Sequence, residues 1–376
     1  MKSGSCYKFS LALSALCILG ATTQPADAAT PSYTITDLGT FPGGTYSYAL
    51  GINNKGQVVG DAEKPNASPL GSGSHPFLYN GGALQDLGTL PGDNYSVAAG
   101  INNKGQVVGI SSPYSGGNRC FLYSGGPLQD LGTLPGGTDC IAANGINNKG
   151  QVVGSANTAP SKTSIYGDYH AFLYSGGSPQ DLGTLPGYKY SNAYGINNKG
   201  QIVGTSSSNI VSHDNRAFLY SGGSLQDLGA LPGYKYSAAY GINNKGQIVG
   251  ASFNVSNGFP STEHAFLYSG GLFQDLGTLG GSYSIARGIN NKGQVVGQSN
   301  TAHSYHAFLY SSSVMTDLNS LIPANSGWDL NDASEINKAG QIVGTGTING
   351  QTHAFLATPV NTNEVTTQSA ASSDED

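Results

Sequence analysis

The sequence predicts an all-β fold: a seven-bladed β-propeller of four-stranded antiparallel blades. Three observations predict it. The sequence repeats at the length of a propeller blade, each copy contains four strand-like segments, and the array begins with a fourth segment and ends with a third. The phrase Gly-Ile-Asn-Asn-Lys-Gly-Gln-Val/Ile-Val-Gly recurs at steps of 45–50 residues, which is typical of stacked or closed repeat arrays. Its complete copies begin at Gly51, Gly100, Gly145, Gly195, Gly241 and Gly288, and a divergent seventh copy begins at Glu335.

The first two segments of each copy form a predicted hairpin. Segment a is represented by residues 46–53 and segment b by residues 57–60. The Asn-Lys-Gly between them is turn chemistry, because Asn starts turns well and Gly adopts the left-handed conformation that closes a short hairpin.

The other two segments form a second hairpin. Segment c is represented by residues 170–174 and segment d by residues 225–229, and a Ser-Gly-Gly turn joins such segments. Segment c, His-Ala-Phe-Leu-Tyr, is apolar on both of its faces, which favours a small sheet packed between two similar sheets. Radial packing of four-stranded sheets in this way defines a propeller.

The two ends of the array predict how the ring closes. The array opens with an unpaired d segment, residues 33–39, and ends with an unpaired c segment, residues 353–360. An open solenoid would need polar caps at its ends, and none is visible. The N-terminal strand is therefore expected to complete the last blade.

The recurring His-Ala-Phe-Leu-Tyr-Ser-Gly-Gly, followed by Gln-Asp-Leu-Gly-Thr-Leu-Pro-Gly and then by the Asn-Asn-Lys phrase, resembles the HAF-repeat family of bacterial proteins. The resemblance covers residues 34–358 and implies an extracellular, propeller-like repeat protein without an assigned reaction. The chain departs from the motif at Arg119-Cys120, at Arg216 and around Trp328.

The chain ends predict export and a disordered tail. Residues 1–28 read as a signal peptide: Lys2 and Lys8 precede an apolar stretch, and Ala26-Asp27-Ala28 matches a cleavage site. The stretch is too short to span a bilayer. Residues 29–360 form the predicted propeller, and the polar, acidic residues 361–376 are expected to be disordered. We therefore expect a secreted or periplasmic monomer without a membrane span.

Charge and motifs exclude several function classes. Charged residues are only 10% of the chain and the formal net charge is −6, so no basic groove for nucleic acid is expected. The sequence contains no phosphate-binding loop, dinucleotide fingerprint or recognisable metal spacing, and we predict neither cofactor nor metal.

Two cysteines outside the signal replace residues of the repeat. Cys120 stands where other copies have Ala171 or Ala217, and Cys140 stands where others have Tyr190 or Tyr236. Such a pair, 20 residues apart, indicates a disulfide in an oxidising compartment. Two buried free thiols are the alternative.

The connections that vary between copies point to the functional face. The b–c connections vary greatly, and variable loops on a rigid scaffold usually carry binding residues. The same face receives aromatic residues just before segment a, which act either as platforms for sugar rings or as packing between blades. The predicted ligand-binding residues are Tyr46, Tyr95, Tyr188, Lys189, Tyr190, Tyr234, Lys235, Tyr236, Tyr283 and Trp328.

The first function hypothesis is a non-catalytic module that binds a glycan or another cell-surface polymer, with no catalytic residues. The alternatives are a polysaccharide-acting hydrolase or lyase that uses paired carboxylates, and a scaffold for an envelope protein. The carboxylates on or near the variable face are Asp61, Glu63, Asp93, Asp139, Asp168, Asp214, Glu263 and Asp329. On the opposite face, the turn lysines, Lys338 among them, form a predicted ring that is either solvated or faces an anionic surface.

Overall fold

A computed structural model describes residues 33–68, 71–160, 168–209, 213–256 and 259–360. It consists of seven four-stranded antiparallel sheets, which confirms the predicted seven-bladed propeller. The predicted signal peptide and acidic tail lie outside the described residues.

Strands a to d of each blade run from the channel outward. In blade 1 they are Ser47–Ile52, Val58–Ser68, Gly71–Tyr79 and Gln85–Asp86. In blade 2 they are Tyr95–Ile101, Val107–Ser112, Arg119–Tyr123 and Gln129–Asp130. In blade 3 they are Cys140–Ile146, Val152–Asn157, Tyr169–Tyr174 and Gln180–Asp181.

The remaining blades follow the same order. Blade 4 contains Tyr190–Ile196, Ile202–Ser207, Arg216–Ser221 and Ser224–Gly229. Blade 5 contains Tyr236–Ile242, Ile248–Ser256, Phe259–Ser269 and Leu272–Asp275. Blade 6 contains Ser284–Ile289, Val295–Asn300, Tyr305–Ser311 and Val314–Asp317. Blade 7 contains Trp328–Ile336, Ile342–Ile348, Gln351–Pro359 and, as its outermost strand, Tyr33–Asp37.

The N-terminal strand closes the ring as predicted. It pairs antiparallel with the last strand, in a register that runs from Tyr33 opposite Pro359 to Asp37 opposite Phe355. The Nδ1 atom of His353 also lies 3.0 Å from the Asp37 carboxylate. The first and last described strands thus share one sheet.

The same few side chains fill the space between the blades. The Phe of strand c is fully buried in every blade, and burial of such a side chain stabilises the fold by about 1.5–3 kcal/mol. These residues are Phe77, Phe121, Phe172, Phe218, Phe266, Phe308 and Phe355. Glycine recurs at the end of the b-strand motif for a steric reason, because a methyl group at Gly60 would overlap the carbonyl oxygen of Tyr48.

The His-Ala-Phe and Asp-Leu-Gly motifs recur together because they contact each other. In blade 3, His170 Nδ1 lies 2.9 Å from Asp181, whose Oδ1 accepts a hydrogen bond from the Gly183 N–H. Arg216 replaces the histidine in blade 4 and binds Asp227 instead. In blade 6, Asp317 caps the short 3₁₀ helix Leu318–Leu321 that leads to blade 7.

Cys120 and Cys140 form the predicted disulfide, with their Cα atoms 5.5 Å apart, and it ties blade 2 to blade 3. One detail of the prediction was wrong, because Cys140 does not occupy the tyrosine position. A bulge at Ile141 shifts Cys140 opposite Ala156, the pairing that Ser191 makes with Ser206. Cys140 therefore occupies the serine position.

That serine position explains what the disulfide replaces. At four other junctions the N–H of the strand-c Ala donates a hydrogen bond to the serine of the next blade, as Ala171 does to Ser191 Oγ at 2.8 Å. Cys120 occupies the alanine position. The covalent bond thus stands where four other junctions use a hydrogen bond.

Candidate functional site

The seven a strands surround a central channel with two mouths. We call the mouth at the a–b turns the turn mouth, and the one on the side of the variable b–c connections the loop mouth. A ring of isoleucines, from Ile52 in blade 1 to Ile336 in blade 7, separates the two. The two mouths are built from different kinds of residue.

The first asparagine of the repeat holds the turn mouth together. Asn53 Oδ1 accepts hydrogen bonds from the N–H groups of Lys55 and Gln57. Its Nδ2 donates to Gln57 Oε1 and to the Asn102 carbonyl of the next blade, at 2.8 and 3.0 Å. Every copy repeats this, and Asn337 closes the circle by donating to the Asn53 carbonyl.

The second asparagine adds another relay between blades. The Asn54 N–H donates to Asn103 Oδ1 at 2.9 Å, and the same contact recurs around the ring as far as Asn291. In blade 7 Lys338 occupies this position and lines the mouth. The expectation that Lys338 belongs to the outer lysine ring was wrong, since Ala339 stands at that outer position.

At the loop mouth, one repeat position varies from blade to blade, and only blades 4 and 5 have the same residue there. That residue is the one before the repeated Gly. In blades 1 to 5 it lines the pocket at this mouth, as Leu50, Ala99, Asn144, Tyr194 and Tyr240, and its equivalents in blades 6 and 7 are Arg287 and Ser334. Tyr194 and Tyr240 meet edge to face, with ring centroids 5.2 Å apart. Together with Asn144 and Glu335 they line a pocket of about 140 Å³.

Glu335 stands where six copies have glycine and brings a carboxylate into this pocket. Burial raises the pKa of the Glu335 carboxyl to about 7, and the hydrogen bond from the Ile336 N–H opposes that rise. A carboxyl with such a pKa exchanges its proton near neutral pH.

A second cluster joins blades 5, 6 and 7 on the loop face. Arg287 Nε donates to Asp332 Oδ1 at 2.8 Å. Glu263 is only 8% exposed. Burial raises the pKa of its carboxyl to about 7, which the charge of Arg287 partly opposes. Tyr283 pairs with Glu263 through a parallel bridge, and both line a cavity of about 280 Å³.

A third buried carboxyl lies in blade 1. Asp61 is hydrogen-bonded to Ser74, and burial raises the pKa of its carboxyl to about 6. Tyr46 also hydrogen-bonds Ser74. Burial raises the pKa of the Tyr95 hydroxyl in blade 2, and the nearby Asp61 charge adds to that rise. Of the predicted aromatic residues, Tyr46 and Tyr95 thus lie near the same carboxylate, that of Asp61.

The other predicted site residues pack locally at successive blade junctions. Lys189 Nζ binds Asp168 Oδ1 at 2.9 Å and lies over the Tyr190 ring, which packs against Tyr169. Tyr188 packs against the hydrophobic core between blades 3 and 4.

Blade 5 repeats part of that arrangement. Lys235 lies over the Tyr236 ring, and Tyr234 packs against His264. Trp328 packs against Phe355 inside blade 7. The ten predicted residues are therefore spread around the loop face and do not converge on one point.

Sequence reasoning missed Tyr194, Tyr240, Arg287, Asp332 and Glu335. A signal for the lining positions was present, since the residue before the repeated Gly varies while its neighbours do not. Within the described ranges, no group of three or more His, Cys, Asp or Glu side chains is arranged to hold a metal. No helix in that part of the chain is long and apolar enough to cross a membrane.

Comparison with known proteins adds the fold alone. A family described as "Protein of unknown function (DUF3466)" matches residues 235–372. No curated protein sequence matches the chain. The propeller domain of the trilobed protease from Pyrococcus furiosus is similar in structure, with a TM-score of 0.51 and 8% identity over 83% of this chain and 93% of that one.

Two further solved structures match less closely. TolB from Acinetobacter baumannii has a TM-score of 0.45 and 12% identity over 68% of this chain and 61% of its own. A gluconolactonase from Xanthomonas campestris has a TM-score of 0.40 and 12% identity over 90% of this chain and 99% of its own.

Proposed function

We propose that this protein is an exported, non-catalytic binding propeller of the HAF-repeat type, and that its loop mouth recognises a glycan or another cell-surface polymer. The observation that carries the proposal is the pocket that Tyr194, Tyr240, Asn144 and Glu335 line together. These residues stand at positions where the copies diverge, so the fold does not require them.

The chemistry of this pocket suits a sugar. A sugar ring presents C–H groups on its faces and hydroxyls at its edge, so it is matched by aromatic rings beside amides and carboxyls. Tyr194 and Tyr240 supply the rings. Asn144 is already oriented, since its Nδ2 donates to Asn192 Oδ1 and to the Ala193 carbonyl of the next blade.

A polysaccharide-binding screen with single variants tests this function. Tyr194→Ala and Tyr240→Ala are expected to weaken saturable binding at least tenfold, because each removes a ring from the pocket wall. The matched control is Tyr114→Ala, a tyrosine that is 67% exposed on a variable connection of blade 2. Equal binding by all three variants, or saturable binding to no polymer in the screen, contradicts the proposal.

A polysaccharide-acting enzyme is the second candidate, and the Glu263 cluster favours it. General acid catalysis works best with a pKa near the operating pH, and Glu263 has such a pKa beside the Arg287–Asp332 pair. Released sugar ends are therefore assayed in the same wells. Product that Glu263→Gln abolishes while binding persists supports the enzyme.

A third reading, the envelope-protein scaffold, has a separate readout. It predicts a defined protein that co-purifies with the full chain while no polysaccharide binds. The same purification from cells that express Tyr194→Ala shows whether the partner uses the loop mouth.

A further inference from the structure

At the turn mouth, the repeat makes all the hydrogen bonds between neighbouring second asparagines run in one direction. Each second asparagine accepts a backbone N–H from the preceding blade through its side-chain oxygen. A backbone N–H only donates, so the accepting atom must be Oδ1. The Nδ2 groups face elsewhere, and within the described residues none has a hydrogen-bond partner. The six are those of Asn54, Asn103, Asn148, Asn198, Asn244 and Asn291.

Lys338 completes this ring with a charge. Its N–H donates to Asn54 Oδ1 at 2.9 Å, as the asparagines do. The Lys338 side chain contains no acceptor, so the Asn291 N–H lacks the hydrogen bond that the equivalent N–H groups of the other blades make. The side chains of this ring therefore supply six amide N–H₂ groups and one ammonium, and each of these seven groups can only donate.

The surroundings of the mouth are also basic. The exposed outer ring comprises Lys55, Lys104, Lys149, Lys199, Lys245 and Lys292. No carboxylate occurs in the a–b or c–d turns of the described residues. The channel carboxyl of Glu335 belongs to the other pocket, across the isoleucine ring. The described residues thus give this mouth positive charge without a neighbouring carboxylate, and the field of such charges extends over about one Debye length, roughly 8 Å at physiological salt.

We propose that the turn mouth binds a small oxyanion, a phosphate, sulfate or carboxylate group, between the six asparagine amides and the Lys338 ammonium. The mouth encloses about 170 Å³, which is room for several water molecules and so for such a group. Charge-assisted hydrogen bonds from several donors are the usual means of holding an oxyanion. This site is independent of the function proposed for the loop mouth.

Calorimetric titration of the full chain with inorganic phosphate, sulfate and acetate, at constant ionic strength, tests the site. Saturable binding is expected for at least one of these anions, and chloride is the competing control. The three probes separate tetrahedral oxyanions from carboxylates. Absence of saturation for all three, or equal binding of chloride, overturns the proposal.

Two matched variants locate the binding. Lys338→Asn removes the ammonium but restores the residue of the other six copies, so the ring should fold. It is expected to weaken anion binding at least tenfold. Lys292→Asn removes the same charge from the outer ring and is expected to change affinity less than threefold. Equal losses in the two would mean that general surface charge attracts the anion, and would overturn the proposed site.

Asn148→Asp provides a test that does not depend on lysine. A carboxylate at 148 still accepts the Asn103 N–H, but its second oxygen replaces the inward donor with a negative charge. Binding is expected to disappear while circular dichroism shows a folded propeller. Retained affinity in this variant contradicts a site between the amides.

Discussion

The two mouths of one channel are built by opposite means. At the turn mouth the same asparagine recurs in every blade, and its side-chain atoms are committed to hydrogen bonds, as for Asn197. At the loop mouth, three residues earlier in the same strand, Tyr194 and its equivalents differ between blades. The comparison teaches that repetition marks the residues that hold blades together, whereas divergence marks those that are free to acquire chemistry.

The largest expected effect concerns the asparagine ring, which should be needed for stability if repeated residues hold the blades together. Asn197→Ala takes the acceptor from the N–H groups of Lys199 and Gln201 and the donor from the Asn243 carbonyl. Buried groups left unpaired make this cost about 2–4 kcal/mol of unfolding free energy. Urea unfolding measures it. Lys199→Ala, in the same turn but exposed, should stay within about 0.5 kcal/mol of the parent.

The second prediction concerns the Cys120–Cys140 disulfide, which stands where four other junctions have a hydrogen bond from an alanine N–H to a serine. Loss of a cross-link spanning 20 residues costs about 3 kcal/mol. Cys120→Ala with Cys140→Ser restores the residues of the other junctions, and the regained hydrogen bond should return about 1 kcal/mol. Unfolding free energies of this variant and of the double-alanine variant measure the difference. Identical values would show that residue 140 does not act as the serine does.

Glu335 sharpens the comparison through pH. An unfolded glutamate releases its proton near 4.5, whereas the folded Glu335 holds it until about pH 7. The folded state binds more protons in that window, so stability falls as pH rises through it. Glu335→Gln should be less sensitive to pH and, above pH 7, more stable by about 2 kcal/mol. Parallel pH–stability curves for the parent and the variant would contradict the assigned burial.

The smallest expected effect concerns Lys338. Lys338→Asn gives the Asn291 N–H the acceptor that blade 7 lacks, which should stabilise the fold by about 1 kcal/mol. Thermal unfolding beside Lys292→Asn measures this gain. A variant that is both more stable and poorer in anion binding would show that blade 7 gives up stability for a ligand. A destabilised Lys338→Asn would mean that the relay cannot be completed.

The fold was predictable because its rules are local. Hairpin turns, strand patterns and the count of copies are read within each repeat, and the shifted phase of residues 33–39 and 353–360 predicts closure. The register of individual residues within a strand was less predictable than the fold. The bulge at Ile141 moves Cys140 by one place, and no spacing in the sequence reveals that shift.

The candidate site was harder to predict because its residues meet across blades. Glu263, Arg287 and Asp332 belong to three different blades, and no short motif joins them. The tyrosines chosen from the sequence recur at the start of strand a or just before it, and the structure places them at successive blade junctions. Tyr194 and Tyr240 needed knowledge of which strand faces the channel.

Rotational symmetry gives the divergence of blade 7 a further consequence. A molecule on the axis of a channel with seven equal sides would have seven equivalent orientations. Glu335 and Lys338 lie on the same blade, one toward each mouth. They make one of these orientations different in free energy from the other six, so that a ring assembled from copies acquires a single defined direction.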